Sequence, residues 1–235
     1  MRKRKPKRLS LIQRKGLVTI LNPESSVSEQ YRMLRTNIQF SMVDKNLKTI
    51  SCTSATASEG KSTTAANLAV TFAKQGQKVL LVDADLKRPV LHKMLGIDNN
   101  FGLAHAITKM AALDSILVPH PQVNNLTFLP AGVLPPNPSE LLTSNMMKEL
   151  ISELSSYFDL ILFDTPPVLA ASDAQILSSI CDGTLLVLRS RGVEKKQLAK
   201  AKELLEHANV NVIGAILNDV NPKEMAHVGY YQNDK

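Results

Sequence analysis

Tryptophan is absent, and aromatic residues make up only 4% of the chain. A core built on stacked rings is thereby excluded, and aliphatic side chains must supply the buried surface. Cysteine is scarce as well. Two residues, Cys52 and Cys181, cannot form a disulfide framework. Both sit in strand-like surroundings, which predicts buried free thiols in a reducing cytosol. No apolar run approaches the roughly 18 residues of a membrane span. The basic start is followed by no continuous apolar region, so no secretory signal is expected. Acid is missing from residues 1–23, which hold eight basic residues (Arg2, Lys3, Arg4, Lys5, Lys7, Arg8, Arg14, Lys15). The rest of the chain carries 20 basic against 21 acidic residues, so the net charge of +7 belongs to this segment. Such a tail is expected to be disordered. It is either simply solvated or drawn to an anionic membrane surface, at about 1 kcal/mol per basic residue near the surface. Nucleic acid is not an expected partner, because no aromatic residue interleaves residues 1–30 to form a stacking platform.

What is present is a phosphate-binding pattern. An apolar, β-branched run (Thr49-Ile50-Ser51-Cys52-Thr53) leads into a loop of small residues that closes on Gly60-Lys61-Ser62. A helical pattern opens there through Ala65, Ala66, Leu68, Ala69, Phe72 and Ala73. Strand, tight loop, Gly-Lys-Ser and helix are the context of a P-loop. Backbone amides of Ser58, Glu59, Gly60, Lys61, Ser62 and Thr63 would converge on phosphate at the helix N-terminus. Lys61 would reach the β- and γ-phosphates, and the Ser62 hydroxyl would meet Mg²⁺. The first glycine of the G-x-x-x-x-G-K-[ST] pattern falls on Ala55, and the loop interior is Ala57-Ser58. A positive φ at Ser58 would cost roughly 1 kcal/mol against glycine.

Two further runs carry acids. Val79-Leu80-Leu81-Val82-Asp83-Ala84-Asp85 is a buried strand that ends in two carboxylates, followed by Lys87-Arg88-Pro89. In extended chain, Asp83 and Asp85 point the same way. Otherwise Asp83 caps a turn and Asp85 is solvated. Leu160-Ile161-Leu162-Phe163-Asp164 is a second such strand, ending like a Walker B site that holds Mg²⁺. Ligands of α/β sheets gather at these carboxyl ends. Arg88 follows the acid pair and either approaches phosphate or is solvated. The five histidines (His92, His105, His120, His207, His227) show no metal-ligand spacing and are expected on the surface or on helices.

At 235 residues, one domain that buries about 70–75% of its unfolded surface is expected. Ser26-Val27-Ser28-Glu29 reads as a capping box that opens a helix carrying Leu34, Ile38 and Phe40. The P-loop helix closes at Gly76. Short helices broken at Gly96 and Asn99-Asn100 occupy 89–117, and Leu126–Pro130 is a strand. Pro138 starts a helix through about Ser155. A helix near 172–180, a strand at Thr184–Leu188, a helix at 194–207 and a strand at Val210–Leu217 complete the pattern. Strands alternating with helices predict an α/β fold, a mostly parallel sheet covered on both faces.

With these motifs the chain resembles the bacterial tyrosine kinases of the capsule and exopolysaccharide type, in their split Gram-positive form. That family is similar to the ParA/MinD branch of P-loop ATPases and unrelated to eukaryotic kinases. The matching pieces are Ser28-Glu29-Gln30-Tyr31-Arg32 to Asn37, the P-loop with Ser62 to Ala69, and the Asp83/Asp85 strand with Arg88-Pro89. They continue with Pro135-Pro136-Asn137-Pro138-Ser139-Glu140-Leu141-Leu142, the Asp164 strand with Pro166-Pro167, and the pair Tyr230-Tyr231. The chain departs from the family at Ala57-Ser58, where Pro-Gly is usual, and in its short tyrosine cluster.

The resemblance implies a P-loop kinase domain over 24–222 between a basic tail (1–23) and a flexible tyrosine-bearing tail (223–235). It implies an ATP:protein-tyrosine phosphotransferase with ATP and Mg²⁺ as cofactors. Lys61, Asp83 and Asp85 would be catalytic, Ser62, Asp85 and Asp164 would hold Mg²⁺, and Tyr230 and Tyr231 would accept phosphate in trans. Asp83 is the expected base, although Asp83 and Asp85 could exchange roles. Glu29, Arg32 and Arg35 lie near one helix face, either a solvated face or, as the family pattern implies, the contact of a homo-oligomeric ring. The implied partners are the cytoplasmic segment of a membrane adaptor, an anionic membrane surface and a protein-tyrosine phosphatase. The implied location is the cytoplasm, peripheral at the inner face of the plasma membrane. The alternative is a ParA/MinD-like ATPase switch that phosphorylates no protein.

Overall fold

The structure, a computed structural model, describes residues 17–43 and 47–221. The elements run α1 (Val18–Leu21), α2 (Ser26–Val43), β1 (Thr49–Ser54), α3 (Lys61–Lys74), β2 (Val79–Asp83), α4 (Leu91–Leu95), α5 (Leu103–Ile107), α6 (Leu113–Ile116), β3 (Val118–Pro119), β4 (Leu126–Leu129), α7 (Pro138–Thr143), α8 (Asn145–Tyr157), β5 (Leu160–Asp164), α9 (Asp173–Ile180), β6 (Gly183–Arg189), α10 (Lys195–His207) and β7 (Val212–Asn218). Among the described residues the strands form one sheet in the order β3-β4-β2-β5-β1-β6-β7. Every pairing is parallel except that of β3 with β4.

The continuous apolar runs are explained by the two covered faces. Val79, Leu81, Leu160 and Leu162 point to one core, which α1, α2, α3 and α4 close. Leu80, Val82, Ile161 and Phe163 point to the other, beneath α5, α7, α8 and α9. The period-2 alternation of a strand therefore buries both sets at once. None of the described helices is long and apolar enough to cross a membrane.

Several local expectations change. The basic tail expected over 1–23 is shorter: Leu17 already lies in the first core and Val18–Leu21 is helical. The cap of α2 is Ser25 rather than Ser26: its Oγ accepts from Ser28 N at 3.2 Å. Glu29 bonds Arg32, not the cap. Phe40 is 71% exposed and is no core residue. The single helix expected from Pro138 is two, broken at Ser144, whose extended backbone (ψ 153°) ends α7 and whose side chain caps α8. Cys181 is buried but ends α9 rather than lying in a strand. His120 is buried too, and its Nδ1 accepts from the amides of Gln122 and Val123. Residues 1–16 and Tyr230, Tyr231 and His227 lie outside the described residues.

Candidate functional site

The carboxyl ends of β1, β5 and β2 are neighbours in the sheet, and the loops leaving them build the site. The loop after β1 turns on two residues with positive φ, Ser58 at 66° and Gly60 at 88°. Ser58 thus carries the strain that the missing glycine would have avoided. At Gly60 a side chain is doubly excluded. Its backbone is left-handed, and an added Cβ would come within 1.9 Å of Asn218 Nδ2. Asn218, at the end of β7, donates to the Glu59 carbonyl at 2.9 Å.

The Glu59 carboxylate is itself buried. One oxygen accepts from the amide and hydroxyl of Thr56, and the other accepts from Arg189 N at 3.2 Å. The loop is therefore stapled to itself and to the ends of β6 and β7. The first bond of α3 runs from Thr64 N to Gly60 O at 2.8 Å. The amides before it face out of the helix end, the arrangement that binds phosphate. Ser58, Ser62 and Thr63 are accessible there, whereas Lys61 is buried.

Lys61 Nζ lies 2.5 Å from Asp164 Oδ1 and 3.2 Å from Ser62 Oγ. The Ser62 hydroxyl also lies near enough to the Asp164 carboxyl to favour its charged form. Asp164 pairs in register with Asp83 across β5 and β2, and Ala84 N donates to Asp164 O at 2.9 Å. Asp83 Oδ2 accepts from Leu91 N at 3.0 Å, the first residue of α4. Among the described residues, Asp83 Oδ1 and Asp164 Oδ2 are buried with no hydrogen-bond partner. Burial, then the neighbouring Asp164 charge, pushes the Asp83 carboxyl up to about 8. Burial also raises Asp164, against the pull of Lys61.

Asp85 follows Asp83 in the chain, and its charge acts on both Asp83 and Asp164. β2 ends at Asp83, and Asp85 lies in the following turn, where its Oδ1 accepts from Lys87 N at 3.3 Å and Arg88 N at 2.9 Å. Asp83 thus holds the first amide of α4, and Asp85 is not solvated but organises the turn. The Arg88 side chain is exposed. No three His, Cys, Asp or Glu side chains converge as a metal cage among the described residues. The orphaned Asp164 oxygen beside a serine hydroxyl does suit a cation that keeps waters and phosphate oxygens as its other ligands.

Glu29, Arg32 and Arg35 do not share one free face. Arg32 Nη2 lies 2.5 Å from Glu29 and its Nη1 donates to Pro23 O, while Arg35 Nη1 turns to Thr71 O on α3. Sequence reasoning missed Asn218, Asp173 and the structural part of Glu59. Asp173 opens α9 and is fully buried; its Oδ1 accepts from the Ser139 hydroxyl, and Lys87 Nζ lies 3.3 Å from its Oδ2. Asp173 had no local signal beyond its place at a helix start.

Similarity to known proteins agrees with this geometry. A ParA family model, described as NUBPL iron-transfer P-loop NTPase, matches residues 46–226. The tyrosine-protein kinase YwqD of Bacillus subtilis is 46% identical over 217 residues, covering 92% of this chain and 91% of that one. The kinase domain of Escherichia coli tyrosine kinase ETK superposes with a TM-score of 0.86 at 32% identity, covering 100% of this chain and 88% of the other. The chimerical protein CapA2B2 superposes at 0.84 with 35% identity, covering 87% and 90%. The septum site-determining protein MinD of Pyrococcus horikoshii, complexed with Mg-ADP, does so at 0.61 with 28% identity, covering 79% and 78%.

Proposed function

The chain belongs to the bacterial tyrosine-kinase family of ParA-like P-loop NTPases, and from that premise we propose that it transfers the γ-phosphate of ATP to tyrosines of its own C-terminal tail, each protomer acting on a neighbour. Phosphorylation of Tyr230 and Tyr231 would then regulate exopolysaccharide or capsule synthesis and export. The observation that carries this reading is the meeting of Lys61, Asp164 and Asp83 beside a loop of outward amides.

The roles follow from the contacts. The amides of residues 58–63 bind phosphate oxygens. Lys61 leaves Asp164 and follows the charge that grows on the phosphates. Ser62, Asp85 and Asp164 would hold Mg²⁺, which supplies neutralisation of the phosphate charge. Asp83 is the base: its unpartnered Oδ1 and raised proton affinity favour it as acceptor of the tyrosine proton. The tyrosine oxygen then bonds the γ-phosphorus as the bond to ADP breaks.

Glu29, Arg32 and Arg35 are assigned to a ring contact, which requires their intrachain partners to be exchanged. The cytoplasmic segment of a membrane adaptor is the proposed activator. The basic N-terminus is proposed to lie on an anionic membrane surface, placing the kinase in the cytoplasm at the inner face of the plasma membrane. A tyrosine phosphatase reverses the modification.

The test is mass spectrometry after incubation with ATP and Mg²⁺, with Lys61→Met as control. Phosphate on Tyr230 or Tyr231 that vanishes in the control is the expected result. ADP release without phosphotyrosine, with an adaptor segment added, would refute tail phosphorylation and leave a nucleotide switch.

A further inference from the structure

The cluster around the buried Asp173 lies outside the machinery described above, yet it touches that machinery at one residue. Three segments distant in sequence meet there. Lys87 comes from the turn after β2, Ser139 from the first turn of α7, and Asp173 from the start of α9. Asp173 is 0% exposed. A carboxylate so buried persists only when its charge is compensated. Oδ1 accepts from the Ser139 hydroxyl and, at 3.5 Å, from the Lys87 ammonium; Oδ2 has no hydrogen-bond partner among the described residues and is compensated by the same ammonium at 3.3 Å.

Lys87 is also the residue whose backbone amide donates to Asp85 Oδ1. Its side chain is anchored to one carboxylate and its main chain to another. Loss of the anchor at Asp173 would leave the Lys87 end of the Asp85 turn held by backbone hydrogen bonds to Asp85. Ser139 belongs to the Pro135–Leu142 segment, to which neither the P-loop nor the acidic strands give a role.

We propose that Asp173 is a positioning residue for phosphoryl transfer: through Lys87 it fixes the Asp85 turn, and through Ser139 it ties that turn to α7. The proposal rests on the reading of Asp85 as a cation ligand. Asp173 touches neither nucleotide nor tyrosine in this scheme. It sets the direction in which the Asp85 carboxylate is presented, the part that outer partners of metal ligands play.

The test is a Mn²⁺ titration of the full chain in the presence of ADP, read by electron paramagnetic resonance. Lys87→Ala should weaken Mn²⁺ binding about 10-fold or more and leave ADP binding without divalent ions unchanged. Lys87→Arg, which keeps the charge, should recover most of the loss. Adding Asp173→Asn to Lys87→Ala should cost little more, because the two share one interaction. Wild-type Mn²⁺ affinity in Lys87→Ala, with the loss confined to Asp85→Asn, overturns the proposal, and so do additive losses. Should Asp85→Asn itself bind Mn²⁺ normally, the cation role of Asp85 falls, and kcat for tyrosine phosphorylation decides. A wild-type kcat in Lys87→Ala then overturns the positioning role of Asp173, and a reduced kcat restored by Lys87→Arg supports it. The Lys87 side chain is 43% exposed, so these variants carry the test even if Asp173→Asn fails to fold.

Discussion

Asp83 holds its proton far more tightly in the folded chain than an ordinary carboxyl does, with the value moved from 3.8 to about 8 by burial and by Asp164. A carboxyl raised in this way makes the folded state bind more protons than the unfolded state across that window. The contribution of Asp83 to stability is therefore full below about pH 4 and is lost progressively as pH rises through about 8. Thermal unfolding in EDTA should show a midpoint that falls from pH 5 to pH 8. Asp83→Asn should flatten much of this slope, with a remainder from Asp164, which is raised in the same direction. Magnesium and ADP should flatten it as well, because a cation lowers a carboxyl's proton affinity.

The P-loop supplies a second contrast at this scale. Ser58→Gly relieves a left-handed backbone at the cost of chain entropy, and should change stability by no more than about 1 kcal/mol, in the stabilising direction. Gly60→Ala meets both a left-handed φ and the Asn218 amide, and should abolish nucleotide binding measured with a fluorescent ADP. The strain at Ser58 was legible in the sequence, because the glycine pattern was visibly incomplete. The obstruction at Gly60 was not, because Asn218 is 158 positions away and meets the loop only through the sheet.

At the scale of elements, helices and strands followed their periodicity, and the differences fall at the ends. Ser25 and Ser26 are chemically equal caps on paper. The turn formed as Ser25 N donates to Asn22 O decides for Ser25. Ser25→Ala should cost about 1 kcal/mol in urea unfolding, while Ser26→Ala should cost close to nothing. The break at Ser144 was hidden for a related reason. Serine is tolerated within a helix, and only packing shows that α7 and α8 diverge there: α7 lies against α9, while Met147 and Leu150 of α8 are buried in the second core. The two-residue β3 carries Pro119, which suits an edge strand, but a run so short gives no periodicity to read.

For the whole molecule, the excess positive charge lies in sequence before the first described core residue. The first 16 residues hold all eight basic residues of the N-terminal segment, and the first core begins at Leu17. Deleting residues 1–16 should leave the thermal midpoint unchanged, since Leu17 and α1 are kept. It should remove binding to phosphatidylserine vesicles, and that binding should weaken in the intact chain as salt is raised. Vesicle sedimentation measures both effects.

Chain order alone determined the parts of this protein. A loop with Gly-Lys-Ser, two apolar strands ending in acid, and alternating helices specify a P-loop α/β domain, because hydrophobic period and backbone conformation are local properties. The sheet order decided the chemistry. Placing β5 between β2 and β1 sets Asp164 beside Asp83 and against Lys61. The raised proton affinity of Asp83, the orphaned oxygens and the Asp173 cluster exist only because residues remote in sequence meet around desolvated carboxylates. Desolvation depends on what covers a residue in three dimensions, and no stretch of sequence states that by itself.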